Sequence, residues 1–242
     1  MIYCGPMAVM ADAPPKGLDL DKLFRKSSVF ESSKSLQKAD FKILRDKLDK
    51  VFVFTRKDAR GYLFKKYMES DARSYAEQLQ HYQERVNGAR LMKEHIDANQ
   101  ITRITVPRKW LCELPSRFDT KKGPSYIVVV DYFSILDAEE SEDEYKHIGR
   151  QQLAELCSIL FTFRGLDFTA RNAPYASDGR IVWIDTEHVK PIKPKIRSRE
   201  KSYTKNIDKM LSGKSLRLAE DLLDELVRRS GLDKKRKRRG ES

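Results

Sequence analysis

From residue 51 the chain reads Val-Phe-Val-Phe-Thr, then Arg-Lys-Asp-Ala-Arg-Gly, then Tyr-Leu-Phe-Lys-Lys-Tyr-Met. Two β-branched and aromatic runs flanking a polar connector that ends in Gly predict a hairpin over 51–55 and 62–68. Tyr75, Leu79, Tyr82, Val86, Ala89 and Ile96 then recur at helical spacing, which predicts a long helix to about Ala98 with Ser70 or Asp71 as its cap. "ITRITVP" reads as a short strand, "KWLCELP" follows it, and "SYIVVVDYF", 125–133, is apolar enough to be a buried strand. "IGRQQLAELCSILFTF" places Leu153, Leu156, Cys157 and Leu160 on one helical face, and "RIVWID", 180–185, is a strand preceded by the turn "YASDG". A last amphipathic helix covers 215–229, with Leu216, Ala219, Leu223, Leu226 and Val227 on one face and Gly231 as its stop.

Strands come first and helices later, so the fold class is α+β, with two lobes. Residues 1–38, rich in Pro, Ser and Lys, are expected to form a flexible segment. A domain over 39–195 would divide into an N-lobe of about 45–130 and a C-lobe of about 131–195. A helical extension over 196–231 and a basic tail over 232–242 complete the division. The segment 137–144 carries six acids in eight residues and reads as a solvated linker or a helix start.

Net charge refines this picture. Of the +12 total, Pro191–Ser242 carries 17 Lys/Arg against 8 Asp/Glu, or +9, which leaves +3 for the rest. The basic character therefore belongs to the C-terminal end. The run "KKRKRR", 234–239, could meet nucleic acid or an acidic surface, but it lacks the interleaved aromatic residues that stack on bases. The three cysteines, Cys4, Cys112 and Cys157, show no metal or redox spacing and suit a reducing compartment, cytoplasmic or nuclear. The N-terminal "MIYCGPMAVMADAPP" has a short apolar stretch with no basic start, a poor signal peptide that does not by itself exclude secretion. No apolar run reaches the ~18 residues of a membrane span.

The candidate chemistry lies in "GLDFTARNAPYASDGRIVWIDTEH", 165–188. Asp167 and Asn172 are five apart, and Asp185 follows thirteen later at the end of an apolar strand. Oxygen ligands of this kind, a carboxylate and a side-chain amide, suit Mg²⁺, and a further carboxylate can receive a hydroxyl proton. The order resembles the protein-kinase-like superfamily, and the ending Ile-Asp-Thr-Glu is more similar to aminoglycoside phosphotransferases and other atypical kinases than to protein kinases.

The resemblance implies a compact two-lobed kinase-like fold with a reduced N-lobe. It implies Asp167 as catalytic base, Asn172 and Asp185 as Mg²⁺ ligands, and ATP as phosphate donor. Lys65, in preference to its neighbour Lys66, would contact the nucleotide phosphates, paired with Glu84 or Glu77. Val130, Asp131, Tyr132 and Phe133 would offer backbone groups to the adenine. Glu187 would bind the metal or anchor a helix cap, and His188 stands beside the site. Two departures are plain: Gly165 stands where the family has His, with Arg164 beside it as a partial substitute, and no Gly occurs between Gly17 and Gly61 to form a phosphate loop. The reading is therefore a phosphotransferase acting on a protein or small-molecule acceptor. Its alternative is an inactive pseudokinase that serves as a protein-interaction module.

Overall fold

A computed structural model describes residues 11–46, 51–67, 74–192, 207–208 and 210–230. The chain forms two compact units, Met1–Val86 with Lys109–Tyr132, and Asn87–Arg108 with Phe133–Ser242. The class is α+β: the N-terminal part builds an antiparallel sheet and the C-terminal part is mainly helical.

In the first unit the expected hairpin is β2 (Val51–Arg56) paired with β3 (Tyr62–Tyr67). The sequence pattern does not foresee their neighbour β1 (Phe41–Asp46). β6 (Tyr126–Asp131) pairs with both β3 and β5 (Lys109–Glu113), giving the strand order β1-β2-β3-β6-β5. Side chains alternate between faces along a strand. Phe52, Phe54, Phe64, Ile127 and Val129 fill one face. Tyr67, Val128 and Val130 fill the other, where Tyr82 and Val86 of the long helix α3 (Tyr75–Ala98) pack on them.

The segment 11–38, expected to be loosely ordered, is part of the first core instead. α1 (Leu20–Leu23) is capped by Asp19, whose carboxylate accepts from the Lys22 amide, and α2 (Ser33–Lys38) is capped by Ser32. Leu20, Leu23, Phe24, Val29, Phe30 and Leu36 are buried. Phe24 lies 5.1 Å from Phe30, 5.3 Å from Phe41 and 5.5 Å from Phe64, centroid to centroid. Each such pair adds about 0.5–1.5 kcal/mol beyond area burial. The serines and prolines are caps and turns between short helical pieces, too short to show a period. Further upstream, the Asp12 amide donates to the Leu111 carbonyl at 2.7 Å and its carboxylate accepts from the Leu111 amide, so this segment covers the edge of β5.

The long helix starts at Tyr75. Ser74 and Glu77 form its cap, the Ser74 hydroxyl accepting from the Glu77 amide and the Glu77 carboxylate accepting from the Ser74 amide at 2.7 Å. This is a reciprocal capping box. The caps proposed from sequence, Ser70 and Asp71, lie outside the described residues, as do Cys4 and the basic run 234–239.

The second unit has its own core, with Met92, Leu153, Leu156, Leu160, Phe168 and Trp183 among the buried residues. The acidic run forms α4 (Ala138–Lys146), opened by a capping box between Asp137 and Glu140. α5 (Arg150–Thr162) buries Leu153, Leu156, Cys157 and Leu160, the face read from the sequence. α6 (Gly213–Arg229) packs against α5 and buries Ala219 and Leu223. The strand expected over 180–185 is shorter: β8 (Ile181–Val182) pairs in parallel with β4 (Ile104–Thr105). β7 (Phe163–Arg164) pairs antiparallel with β9 (Lys190–Pro191). Among the described residues, no helix is long and apolar enough to cross a membrane.

Candidate functional site

Backbone hydrogen bonds bring the 165–188 stretch together. The extended segment 181–184 bonds to both sides. The Ile181 and Trp183 amides donate to the Arg103 and Thr105 carbonyls, at 3.0 and 2.9 Å. The Val182 and Ile184 amides donate the other way, to the Pro174 and Asn172 carbonyls, both at 2.8 Å. Successive amides of an extended chain point in opposite directions, so a short strand can serve as the spine between two neighbours. The result sets Asp185 next to Asn172.

Asn172 in turn reaches Asp167. The Asn172 and Ala173 amides donate to the Thr169 carbonyl, at 3.0 and 2.8 Å, closing a turn. From that turn the Asn172 side-chain amide donates to a carboxylate oxygen of Asp167 at 2.7 Å. The other half of the Asn172 side-chain amide, its oxygen, is by chemistry a hydrogen-bond and metal acceptor. Asp185 is half-buried and accepts the Glu187 amide at 3.3 Å, an Asx-type turn.

The platform below is aromatic. Phe168, next to Asp167, is fully buried and stacks on Trp183 with centroids 5.8 Å apart. It meets Tyr145 edge-on at 5.2 Å, and the Tyr145 hydroxyl donates to the Ala173 carbonyl at 2.6 Å. Asp167, its neighbour in sequence, is exposed. Burial raises the Tyr145 and Tyr175 hydroxyl pKa values well above the ordinary tyrosine value, so both stay protonated and can go on donating.

Glycines decide two close approaches. Gly165, at φ +74°, is where a side chain would place Cβ 2.0 Å from the His188 carbonyl oxygen. The absence of His there is a steric requirement of this fold. Gly88, inside α3, would place a Cβ 2.0 Å from the Thr186 carbonyl oxygen. The apolar stripe of α3 does not single out Gly88, although a glycine inside a long helix costs about 1 kcal/mol against Ala and so asks for a packing reason. Gly88→Ala is thus expected to destabilise by about 1–3 kcal/mol, the cost of overpacking, where helix propensity alone predicts a gain. Urea unfolding of the variant beside the wild type measures the sign, and a stabilised variant would refute the close approach.

Lys65 and Lys66 are separated by the sheet. Lys65 lies opposite Val53 and Val128, on the face that packs α3. Lys66 lies on the other face, with its ammonium 5.8 Å from the Phe30 ring. Of the two glutamates, Glu77 is held by the Ser74 cap. Glu84, about two turns further along α3, accepts from the Gln80 side chain at 3.1 Å. Glu187 sits in a turn at 187–188 with no helix starting there, so its alternative as a helix cap is not realised.

The segment 130–133, expected to offer backbone groups to adenine, has partners within the fold. The Tyr132 amide donates to the Gly61 carbonyl at 2.8 Å, so it is not open to an incoming base. Its half-exposed side chain lines a cavity of about 880 Å³ in the first unit, together with Lys42, Leu44 and Lys57. Asp131 closes β6 opposite Tyr62, and the Phe133 ring lies 5.9 Å from the Arg180 guanidinium.

The donor set fits a hard cation. Among the described residues no group of three or more His, Cys, Asp and Glu side chains is arranged to hold a metal. Mg²⁺, however, typically takes one or two protein carboxylates and completes its shell with phosphate oxygens and water. Among the described residues, the two thiols, Cys112 and Cys157, are buried. Burial pushes Cys112 and Cys157 each up to about 12, so neither is a thiolate at neutral pH.

No protein-family model matches the chain, and no curated protein matches it. Among solved structures, the chain is similar to the Rv3197–erythromycin complex from Mycobacterium tuberculosis, at 16% identity and a TM-score of 0.35. The match covers 81% of this chain and 60% of the other, so this chain spans less than two thirds of that protein. A likeness this distant names no activity for the chain.

Proposed function

We propose that this protein is an ATP- and Mg²⁺-dependent phosphotransferase of compact, two-lobed kinase-like fold. The observation that carries the reading is the hydrogen bond from Asn172 to Asp167, with Asp185 brought alongside through Ile184. Bound here, Mg²⁺ would neutralise phosphate charge and hold the donor for displacement. The Asn172 amide oxygen and the Asp185 carboxylate are the residues that would hold it. Asp167 orients the acceptor hydroxyl and takes its proton, and Asn172 fixes the carboxylate in position. Lys65 is assigned to the nucleotide phosphates and Glu84 to positioning Lys65. Asp131, Tyr132 and Phe133 are assigned to the base, with the Tyr132 side chain in place of its amide.

Asp185→Ala tests this function. The variant is expected to keep its fold and lose Mg²⁺-dependent ATP binding, read by calorimetry with and without the metal. Unchanged metal-dependent affinity would remove Asp185 from the site. The lysines give a second check: Lys65→Ala is expected to weaken ATP binding more than Lys66→Ala does, since the two side chains lie on opposite faces of the sheet. A larger loss at Lys66 would reverse that assignment.

One observation favours a second reading, a non-catalytic module of the same fold. The 43 residues between Gly17 and Gly61 contain no glycine, so the backbone lacks the residue that lets it fold closely over phosphates. In that case ATP binds without transfer.

A further inference from the structure

The loop that carries Asp185 is held at three points, all within the second unit. Just before Asp185, the Ile184 amide donates to the Asn172 carbonyl at 2.8 Å. Just after it, the Thr186 carbonyl lies against Gly88 of α3. Further on, the His188 carbonyl lies against Gly165, in the segment that leads into Asp167.

The two glycine contacts share one geometry. A Cβ on either glycine would come 2.0 Å from a backbone oxygen, and at Gly165 it would stand 2.7 Å from the His188 carbonyl carbon. The glycine hydrogen in that place therefore points at the oxygen, as in a Cα–H···O contact. Both oxygens belong to the backbone, so neither can swing away as a side-chain end would. At Gly88 the Cβ would also meet the Cβ of the buried Val189 at 3.1 Å. Downstream, the chain is anchored by the pairing of β7 with β9 and by the Ile192 amide, which donates to the Thr162 carbonyl at 2.8 Å. A push on residues 186–188 is thus taken up on the other side, at Asp185.

We infer that Gly88 and Gly165 are positioning residues: by admitting the Thr186 and His188 carbonyls to contact with hydrogen alone, they set how the Asp185 carboxylate lies against Asn172 and Asp167. The inference rests on the phosphotransferase reading for what these three groups do. Restoring an ordinary contact would move the loop by about 1 Å or more, and a misplacement of that size can cost about 10²-fold in a positioned reaction.

The test compares Gly88→Ala and Gly165→Ala with Gly179→Ala, a glycine that also has a positive φ, +81°, but whose Cβ would meet nothing within 4 Å. In the ligand-free, ¹⁵N-labelled protein the first two variants are expected to shift the Asp167, Asn172 and Asp185 amides, and Gly179→Ala to leave them in place. Calorimetry below the unfolding transition is expected to show ATP affinity without Mg²⁺ unchanged. The gain in affinity that Mg²⁺ brings is expected to fall about 10–100-fold, the range for groups that orient metal ligands. Lost stability alone would leave that gain intact in the folded protein. If Gly165→Ala does not fold, Gly88→Ala decides. Unmoved amides or a full Mg²⁺ gain in Gly88→Ala, or an equal effect of Gly179→Ala, would overturn the inference. A wild-type protein whose ATP affinity ignores Mg²⁺ would overturn the metal assignment instead, and the amide shifts would still judge the positioning.

Discussion

Asp167→Asn is expected to leave Mg²⁺-ATP binding intact and to cut phosphate transfer by roughly 10²-fold or more, the contribution of a positioned general base. The substitution keeps size and shape. An asparagine oxygen at 167 can still accept from the Asn172 side chain, as the carboxylate does at 2.7 Å. Asp185 stays tied to Asn172 through the Ile184 amide. What is lost is the charge that takes the acceptor proton. Radiolabelled transfer, to the protein itself or to a lysate, is measured beside calorimetric ATP binding. Transfer at the wild-type rate in the variant would show that Asp167 is not the base. ATP binding without transfer by either protein would favour the non-catalytic module.

Phe168→Ala is expected to cost about 3–5 kcal/mol, the range for deleting a fully buried aromatic side chain. The ring is completely buried between Trp183 and Tyr145, so its removal leaves a cavity beneath the site. The loss is a large part of the ~5–15 kcal/mol that holds a domain together. Urea unfolding followed by tryptophan fluorescence reads it, since Trp183 lies on the affected ring. A loss below about 1 kcal/mol would mean that the aromatic layer does not support the loop. Phe168→Leu keeps more volume and is expected to lose less, which separates a packing role from any role of Asp167 next door.

The sequence by itself determined the elements whose period was long or whose composition was extreme. The stripe from Tyr82 to Ile96, the buried run Tyr126–Val130 and the face of Leu153, Leu156, Cys157 and Leu160 were legible because many residues repeat one pattern. It also nominated Asp167, Asn172 and Asp185 from type and spacing. The short caps and turns of residues 11–38 carry no such period, and their burial follows only from Phe24, Phe30 and Leu36 meeting a sheet that begins at Phe41.

Tertiary structure decided what depends on contacts between distant segments. The Asn172 side chain reaches Asp167 because the Thr169 carbonyl closes a turn, and Asp185 arrives beside it because Ile184 pairs with Asn172. Glu77 is spent on a helix cap that begins at Ser74, and the Tyr132 amide on Gly61. Gly88 and Gly165 are required by the carbonyls of Thr186 and His188, residues 98 and 23 positions away. A sequence states which groups are present, but a hydrogen bond or a steric limit needs two groups within a few ångströms, and for residues far apart in the chain only the folded backbone sets that distance.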